Sequence, residues 1–152
     1  MPQLALPSLV GPVTLAEADG AIVSLDWGKP PPEFLSETPL LLEARRQLER
    51  YFAGDFAPFD LPLAPAGNQL CQQVWRVMQE IPAGQTLTYG EVATRLGSDA
   101  RAIGAACGAN PIPIIIPCHR ILAAGGRLGG YSGQGGVATK TKLLRHEGAL
   151  LL

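Results

Sequence analysis

The run Pro111-Ile112-Pro113-Ile114-Ile115-Ile116-Pro117-Cys118-His119-Arg120 constrains this chain more than any other stretch. Each proline lacks an amide hydrogen and clashes with a preceding helical turn, so a helix is excluded there. Consecutive β-branched isoleucines suit a packed, extended segment and are costly to leave in water. The expected conformation is a short buried strand that delivers Cys118 to one fixed point, with Pro117 setting the backbone just before it. His119 and Arg120 follow at once, so a thiol stands beside two groups that can favour its anionic form. An inert core cysteine is the competing reading of the same residues.

The rest of the chain is able to bury such a segment. At 152 residues, with 47% hydrophobic and 16% charged side chains, it has the make-up of an ordinary globular protein of one or two small domains. The start, Met1 to Trp27, has no basic flank ahead of an apolar core, and no apolar run approaches membrane-spanning length, so no membrane association and a cytoplasmic location are expected. The cysteines Cys71, Cys107 and Cys118 are odd in number and lack CxxC spacing, and there are 2 histidines, which argues against a disulfide framework or a zinc cluster. No metal and no cofactor is expected. Charge is unevenly spread. Residues 1–67 carry 4 Lys/Arg against 9 Asp/Glu, a balance of −5, whereas residues 68–152 carry 8 against 4, a balance of +4. The half with Cys118 is the basic half, as suits a domain that meets phosphates.

Local patterns predict an α/β (α+β) chain of two domains, 1–66 and 67–152. In the first, Val13 to Ala18 and Ala21 to Trp27 flank Asp19-Gly20, the two-residue hairpin signal. Thr38-Pro39 starts a helix with Leu41, Ala44, Leu48, Tyr51 and Phe52 on one face and Gly54 after its end. Prolines at 58, 62 and 65 mark an interdomain linker. In the second, Asn68 caps a core helix carrying Leu70, Val74, Val77 and Met78. Thr88-Tyr89-Gly90-Glu91 reads as a capping box, and its helix stops at Gly97. Ser98 or Asp99 caps the next helix, from Arg101 to about Gly108, giving a helix-turn-helix arrangement in a mainly helical, winged-helix-like domain.

That second helix is nearly bare of long side chains: Ala100, Ala102, Gly104, Ala105, Ala106, Gly108 and Ala109. Each glycine costs about 1 kcal/mol against alanine in a helix, so a slim surface is needed, either for tight packing in the core or for a backbone approaching from outside. Asn110, before a proline, can fix the following turn through its amide. Gly129 to Gly136 is a glycine-rich loop without the GK[ST] of a nucleotide-binding P-loop. A last helix, Val137 to Glu147, is expected to place Val137, Thr141 and Leu144 on one face and to stop at Gly148. Glu147 stands at its C-terminal end, where the helix dipole disfavours an acid by about 0.3–1 kcal/mol. An ion pair with Arg145 or Lys142 would account for it, as would a functional role.

Taken together, Asn110-Pro111, Pro117-Cys118-His119-Arg120, Gly130-Tyr131-Ser132-Gly133 and Leu143-Leu144-Arg145-His146-Glu147-Gly148 resemble the O6-alkylguanine-DNA alkyltransferases, also called methylated-DNA-protein-cysteine methyltransferases. The resemblance runs from about Gly67 to Gly148 and is loose before that. It implies repair of double-stranded DNA by stoichiometric transfer of an alkyl group from O6-alkylguanine, and from O4-alkylthymine, to Cys118. The protein would be a monomer acting once, from the minor-groove side, on a base flipped out of the duplex. In this reading His119 draws the thiol proton directly or through a water, Glu147 holds His119, Tyr89 donates to the departing base and Asn110 serves as a hinge. Arg101 enters the base stack in place of the extruded nucleotide. Ala102, Gly104, Ala105, Arg120, Ile121, Tyr131 and Ser132 meet DNA or the flipped base. Two departures affect packing: Leu70-Cys71 where many members carry Phe-Gln, and Lys142 where many carry tryptophan. Two other classes use parts of the same set: a thiol hydrolase with a Cys-His-Glu relay, and a non-catalytic module that binds DNA lesions.

Overall fold

The asparagine before the proline-rich run shapes the part of the fold that matters most. In the computed structural model, which describes residues 1–30, 32–131 and 133–149, the Asn110 side chain accepts from the Ile112 amide (2.9 Å) and donates to the Ile116 carbonyl (2.8 Å). This pulls the two ends of the run together. The segment is therefore buried as expected, with Ile112, Ile114 and Ile116 fully inaccessible, but it is not a strand. It coils into a turn in which the Ile116 amide bonds the Ile112 carbonyl and Ile114 takes a φ of 74°. A β-branched residue in that region costs on the order of 1–3 kcal/mol, which burial of the isoleucines offsets. Sequence pattern alone could not see the side-chain staple that selects a coil over an extended run.

The chain divides into two compact units, Met1–Ala66 and Gly67–Leu152. The first is a three-stranded antiparallel sheet in the order β1 (Gln3–Leu6), β2 (Val13–Ala18), β3 (Ala21–Trp27), covered by helix α1 (Pro39–Phe52). The hairpin turn is where the sequence places it, with Asp19 and Gly20 at φ 51° and 79°. Leu4 pairs with Leu15, and Leu15 with Leu25, so one face carries leucines toward α1. Strand β1 is too short to announce itself in sequence. Leu41, Ala44, Leu48 and Tyr51 fill the helix side of this core. Part of the proline-rich linker extends the sheet edge, the Ile22 amide bonding the Pro62 carbonyl (2.8 Å) and the Ala64 amide the Ile22 carbonyl (2.9 Å).

The second unit is built from α2 (Gln69–Gln79), β4 (Leu87–Thr88), α3 (Tyr89–Leu96), α4 (Ala100–Gly108), β5 (Ile121–Leu122) and α5 (Val137–His146). The capping box at Thr88 and Glu91 forms in full. Gly97 closes α3 in the left-handed region (φ 65°), which only glycine adopts cheaply, and Asp99 caps α4 through the Ala102 amide. Helices α3 and α4 pack as a helix-turn-helix, and the Trp75 indole of α2 donates to the Ala106 carbonyl of α4 (2.9 Å). Parallel pairing of β4 with β5, Leu87 with Ile121 and Thr88 with Leu122, brings the start of α3 beside the residues that follow Cys118. Helix α5 buries Thr139, Lys140, Leu143 and Leu144, whereas Val137 is 44% exposed. The expected face of Val137, Thr141 and Leu144 is thus rotated, because the helix is set by its C-terminal end, where Glu147 points inward.

Candidate active site

A thiol, an imidazole, a guanidinium and a carboxylate meet here with little access to water. Cys118, His119 and Arg120 form a single turn of 3-10 helix, so successive side chains diverge by about a third of a turn. Cys118 is 6% exposed, His119 is fully buried and Arg120 is 8% exposed. The His119 Nε2 lies 2.6 Å from Glu147 Oε2. Arg120 clasps the same carboxylate, Nε to Oε1 at 2.8 Å and Nη2 to Oε2 at 2.9 Å, while its Nη1 donates to the Ile81 carbonyl at 2.6 Å. Gly148 at φ 80° turns the chain just beyond Glu147.

The electrostatics follow from that packing. Burial alone would raise the Glu147 pKa, but hydrogen bonds from His119 and Arg120 overcome it and hold the carboxyl at about 2. An ionised carboxylate can only accept, so His119 presents Nε2–H to Glu147, and in the neutral ring Nδ1 is a bare acceptor. Nδ1 is buried with no hydrogen-bond partner among the described residues. Burial lowers the His119 pKa, a trend that Glu147 opposes and the charges of Arg120 and Lys140 reinforce. Burial likewise raises the Cys118 thiol, while hydrogen bonds from Asn110 and Tyr131 and the Lys140 charge pull it back.

Cys118 opens onto a cleft of about 240 Å³ bounded by Tyr89, Gly104, Cys107, Gly108, Gly130 and Tyr131. Among the described residues a Cβ placed on Gly104 or Gly108 would meet nothing within 4 Å, so no packing among them requires these glycines. Gly129 is different: its φ is 69°, and a Cβ there would stand 3.2 Å from the Tyr89 ring. The half-buried Tyr89 thus seats against the glycine-rich loop. Its pKa is raised by burial and then by the two thiols, which keeps the phenol protonated.

The residues singled out from sequence divide by position. Cys118, His119, Glu147, Tyr89, Asn110, Gly104 and Tyr131 gather at this cleft or support it directly. Arg101 and Ala105 are exposed on α4 and Ala102 is partly so. Ser132 lies outside the described residues. Arg120 and Ile121, expected to face DNA, are both buried: the guanidinium is committed to Glu147 and the Ile81 carbonyl, and the Ile121 carbonyl accepts from Lys140 (2.7 Å). Two site residues were missed. Cys107 shares the cleft, and burial pushes its pKa to about 12. Lys140 is fully buried on α5, two turns before Glu147 on the same face. Fixing Glu147 as inward-facing and stepping back seven residues would have found it.

Comparison with known proteins agrees over the whole chain. Residues 69–149 match the family described as 6-O-methylguanine DNA methyltransferase, DNA binding domain, and residues 5–65 match its ribonuclease-like domain. The methylated-DNA--protein-cysteine methyltransferase of Methanosarcina acetivorans is 40% identical over 150 residues, spanning 93% of this chain and 95% of that one. That of Salmonella typhimurium is 50% identical over 109 residues, 70% of this chain and 63% of that one. Mycobacterium tuberculosis OGT, crystallised in complex with DNA, superposes with a TM-score of 0.85 at 38% identity, covering 98% of this chain and 94% of that one. With both units matched and the cysteine cleft assembled, the chain belongs to the 6-O-methylguanine DNA methyltransferases, the methylated-DNA–protein-cysteine methyltransferase family.

Proposed function

We propose that this protein repairs double-stranded DNA by moving an alkyl group from the O6 atom of a damaged guanine, and by the same chemistry from O4 of thymine, onto Cys118. The observation that carries the reading is a buried thiol facing a cleft with glycine walls that none of the described residues fills. Sulfur attacks the alkyl carbon in line, the S–C bond forms as the C–O6 bond breaks, and the guanine leaves with the bonding pair and takes up a proton. His119 Nδ1 provides the path for the thiol proton, and Glu147 holds the ring in the tautomer that leaves Nδ1 free. Tyr89 donates a hydrogen bond to the departing base. The thioether has no easy reverse path, so each molecule acts once.

The lesion must leave the stack to reach Cys118, at a cost of a few kcal/mol. The bare surface of α4 lets DNA come close, and exposed Arg101 at its start fills the gap in the stack. The crystallised complex of the Mycobacterium tuberculosis relative with DNA supports DNA as the partner. Among the described residues no helix is long and apolar enough to cross a membrane. Unpaired cysteines at 71, 107 and 118 fit a reducing compartment, the cytoplasm, and a monomer suffices for the chemistry. Incubation with a duplex carrying O6-methylguanine, followed by mass spectrometry, tests the assignment. One methyl adduct per molecule, on Cys118, is expected. Catalytic turnover of acyl substrates would favour a thiol hydrolase, and duplex binding without an adduct would favour a lesion-binding module.

A further inference from the structure

Lys140 is an unusual buried cation. It is fully inaccessible, yet its amine has no carboxylate partner among the described residues and donates only to the carbonyls of Ile121 (2.7 Å) and Gly130 (3.2 Å). It stands 5.8 Å over the Tyr89 ring. Those contacts reach the strand after the Cys118 turn, the glycine-rich loop and the tyrosine across the cleft. A buried ammonium held by neutral dipoles is costly unless an anion forms nearby. Glu147 does not serve, since both of its oxygens are taken by Arg120 and His119.

The groups that line the cleft with Cys118 narrow the choice of that anion. Tyr89 comes from α3, Cys107 from α4 and Tyr131 from the loop, and His119 and Arg120 follow Cys118 on its own turn. Lys140 reaches the cleft wall from α5 through the Gly130 carbonyl and the Tyr89 ring, Glu147 caps the same helix, and Cys71 is the ionisable member of the buried face of α2. Arg120 already balances Glu147, so the pair contributes little net charge to the cleft. We propose that Lys140 is a positioning residue that supplies the counter-charge of the Cys118 thiolate, so that the thiol ionises against Lys140 while His119 stays neutral. The thiol proton is released by way of Nδ1 and does not rest there. Two directions agree with this geometry: the thiols at 107 and 118 are the groups whose charge favours ionised Lys140, and the Lys140 charge disfavours an imidazolium at His119. This rests on Cys118 being the acceptor, but its test needs no DNA.

Alkylation of Cys118 by iodoacetamide, read by mass spectrometry across pH, is compared for wild type, Lys140→Met and Lys140→Arg. Lys140→Met is expected to slow the reaction about tenfold at neutral pH and to displace the profile by about one pH unit to the alkaline side. Lys140→Arg is expected to track wild type. An undisplaced profile in Lys140→Met, or equal displacement in both variants, overturns the proposal. A melting curve shows whether Lys140→Met folds. If it does not, nitrogen-15 NMR of His119 in wild type decides: a ring that stays neutral through the Cys118 transition supports the proposal, and an imidazolium forming in step with the thiolate overturns it. Failure of methyl transfer from DNA with a displaced profile intact would instead count against the repair reading.

Discussion

Arg120 grips Glu147 with two parallel hydrogen bonds at 2.8 and 2.9 Å, and the carboxylate so held also takes the His119 ring at 2.6 Å. Arginine's planar fork matches a carboxylate in a way that lysine cannot. The acid that orients the imidazole is therefore itself oriented, and these side chains tie the end of α5 to the Cys118 turn.

Removing the guanidinium while leaving the carboxylate should be severe. Arg120→Met takes both guanidinium hydrogen bonds from the buried Glu147 carboxylate, and we expect a loss of about 3–5 kcal/mol in urea unfolding, as for other broken buried pairs. Arg120→Lys should recover only part of it. A loss below about 1 kcal/mol in Arg120→Met would show that the clasp does not support the fold.

Acid should unfold the protein through the same carboxylate. Glu147 has its pKa depressed from the ordinary 4.5 to about 2, so its contribution is present above 4.5 and is lost as pH falls toward 2. The loss should be on the order of 3 kcal/mol. His119, also depressed, adds to it as pH falls below its ordinary 6.5. Unfolding free energies of wild type and Glu147→Gln, measured over that range, should converge as pH falls. Parallel curves would assign the acid sensitivity to other groups.

Gly104 separates packing from recognition. Since none of the described residues lies within 4 Å of a Cβ built there, Gly104→Leu should fold as stably as wild type or somewhat more so, by up to about 1 kcal/mol. It should also obstruct the cleft, slowing methyl transfer from duplex by tenfold or more. A melting point well below wild type would mean that the glycine serves the interior of the protein after all.

Arg101 is exposed at the first turn of α4, and among the described residues no side-chain hydrogen bond or ion pair holds it. Arg101→Ala is expected to leave the melting temperature unchanged and to slow transfer from duplex far more than transfer from free O6-benzylguanine, because only the duplex requires a flipped nucleotide. Equal slowing on both substrates would remove Arg101 from any role in flipping.

Gly129 supports Tyr89 by being small at a positive φ. Gly129→Ala combines a strained backbone with a contact at 3.2 Å on the ring, so the tyrosine must shift. Transfer should slow severalfold with Cys118 alkylation by iodoacetamide unchanged. If both reactions slow together, the substitution has disturbed the thiol and not the tyrosine.

Residues close in sequence were sufficient for much of this. The Asp19-Gly20 turn, the caps at Thr38, Asn68 and Thr88 and the stop at Gly97 depend on contacts within a few residues, and each formed where its residues imply. The joining of Cys118, His119 and Glu147 was reached by resemblance, since nothing local links positions 28 residues apart. What only tertiary structure decided were the matters set by distant partners. Asn110 folds the isoleucine run into a coil by bonding both its ends. Arg120 turns inward because a buried carboxylate awaits it. Lys140 is buried because Glu147, two turns on, fixes which face of α5 points in. In each case a side chain with two plausible environments, water or interior, was placed by a group that local pattern cannot supply.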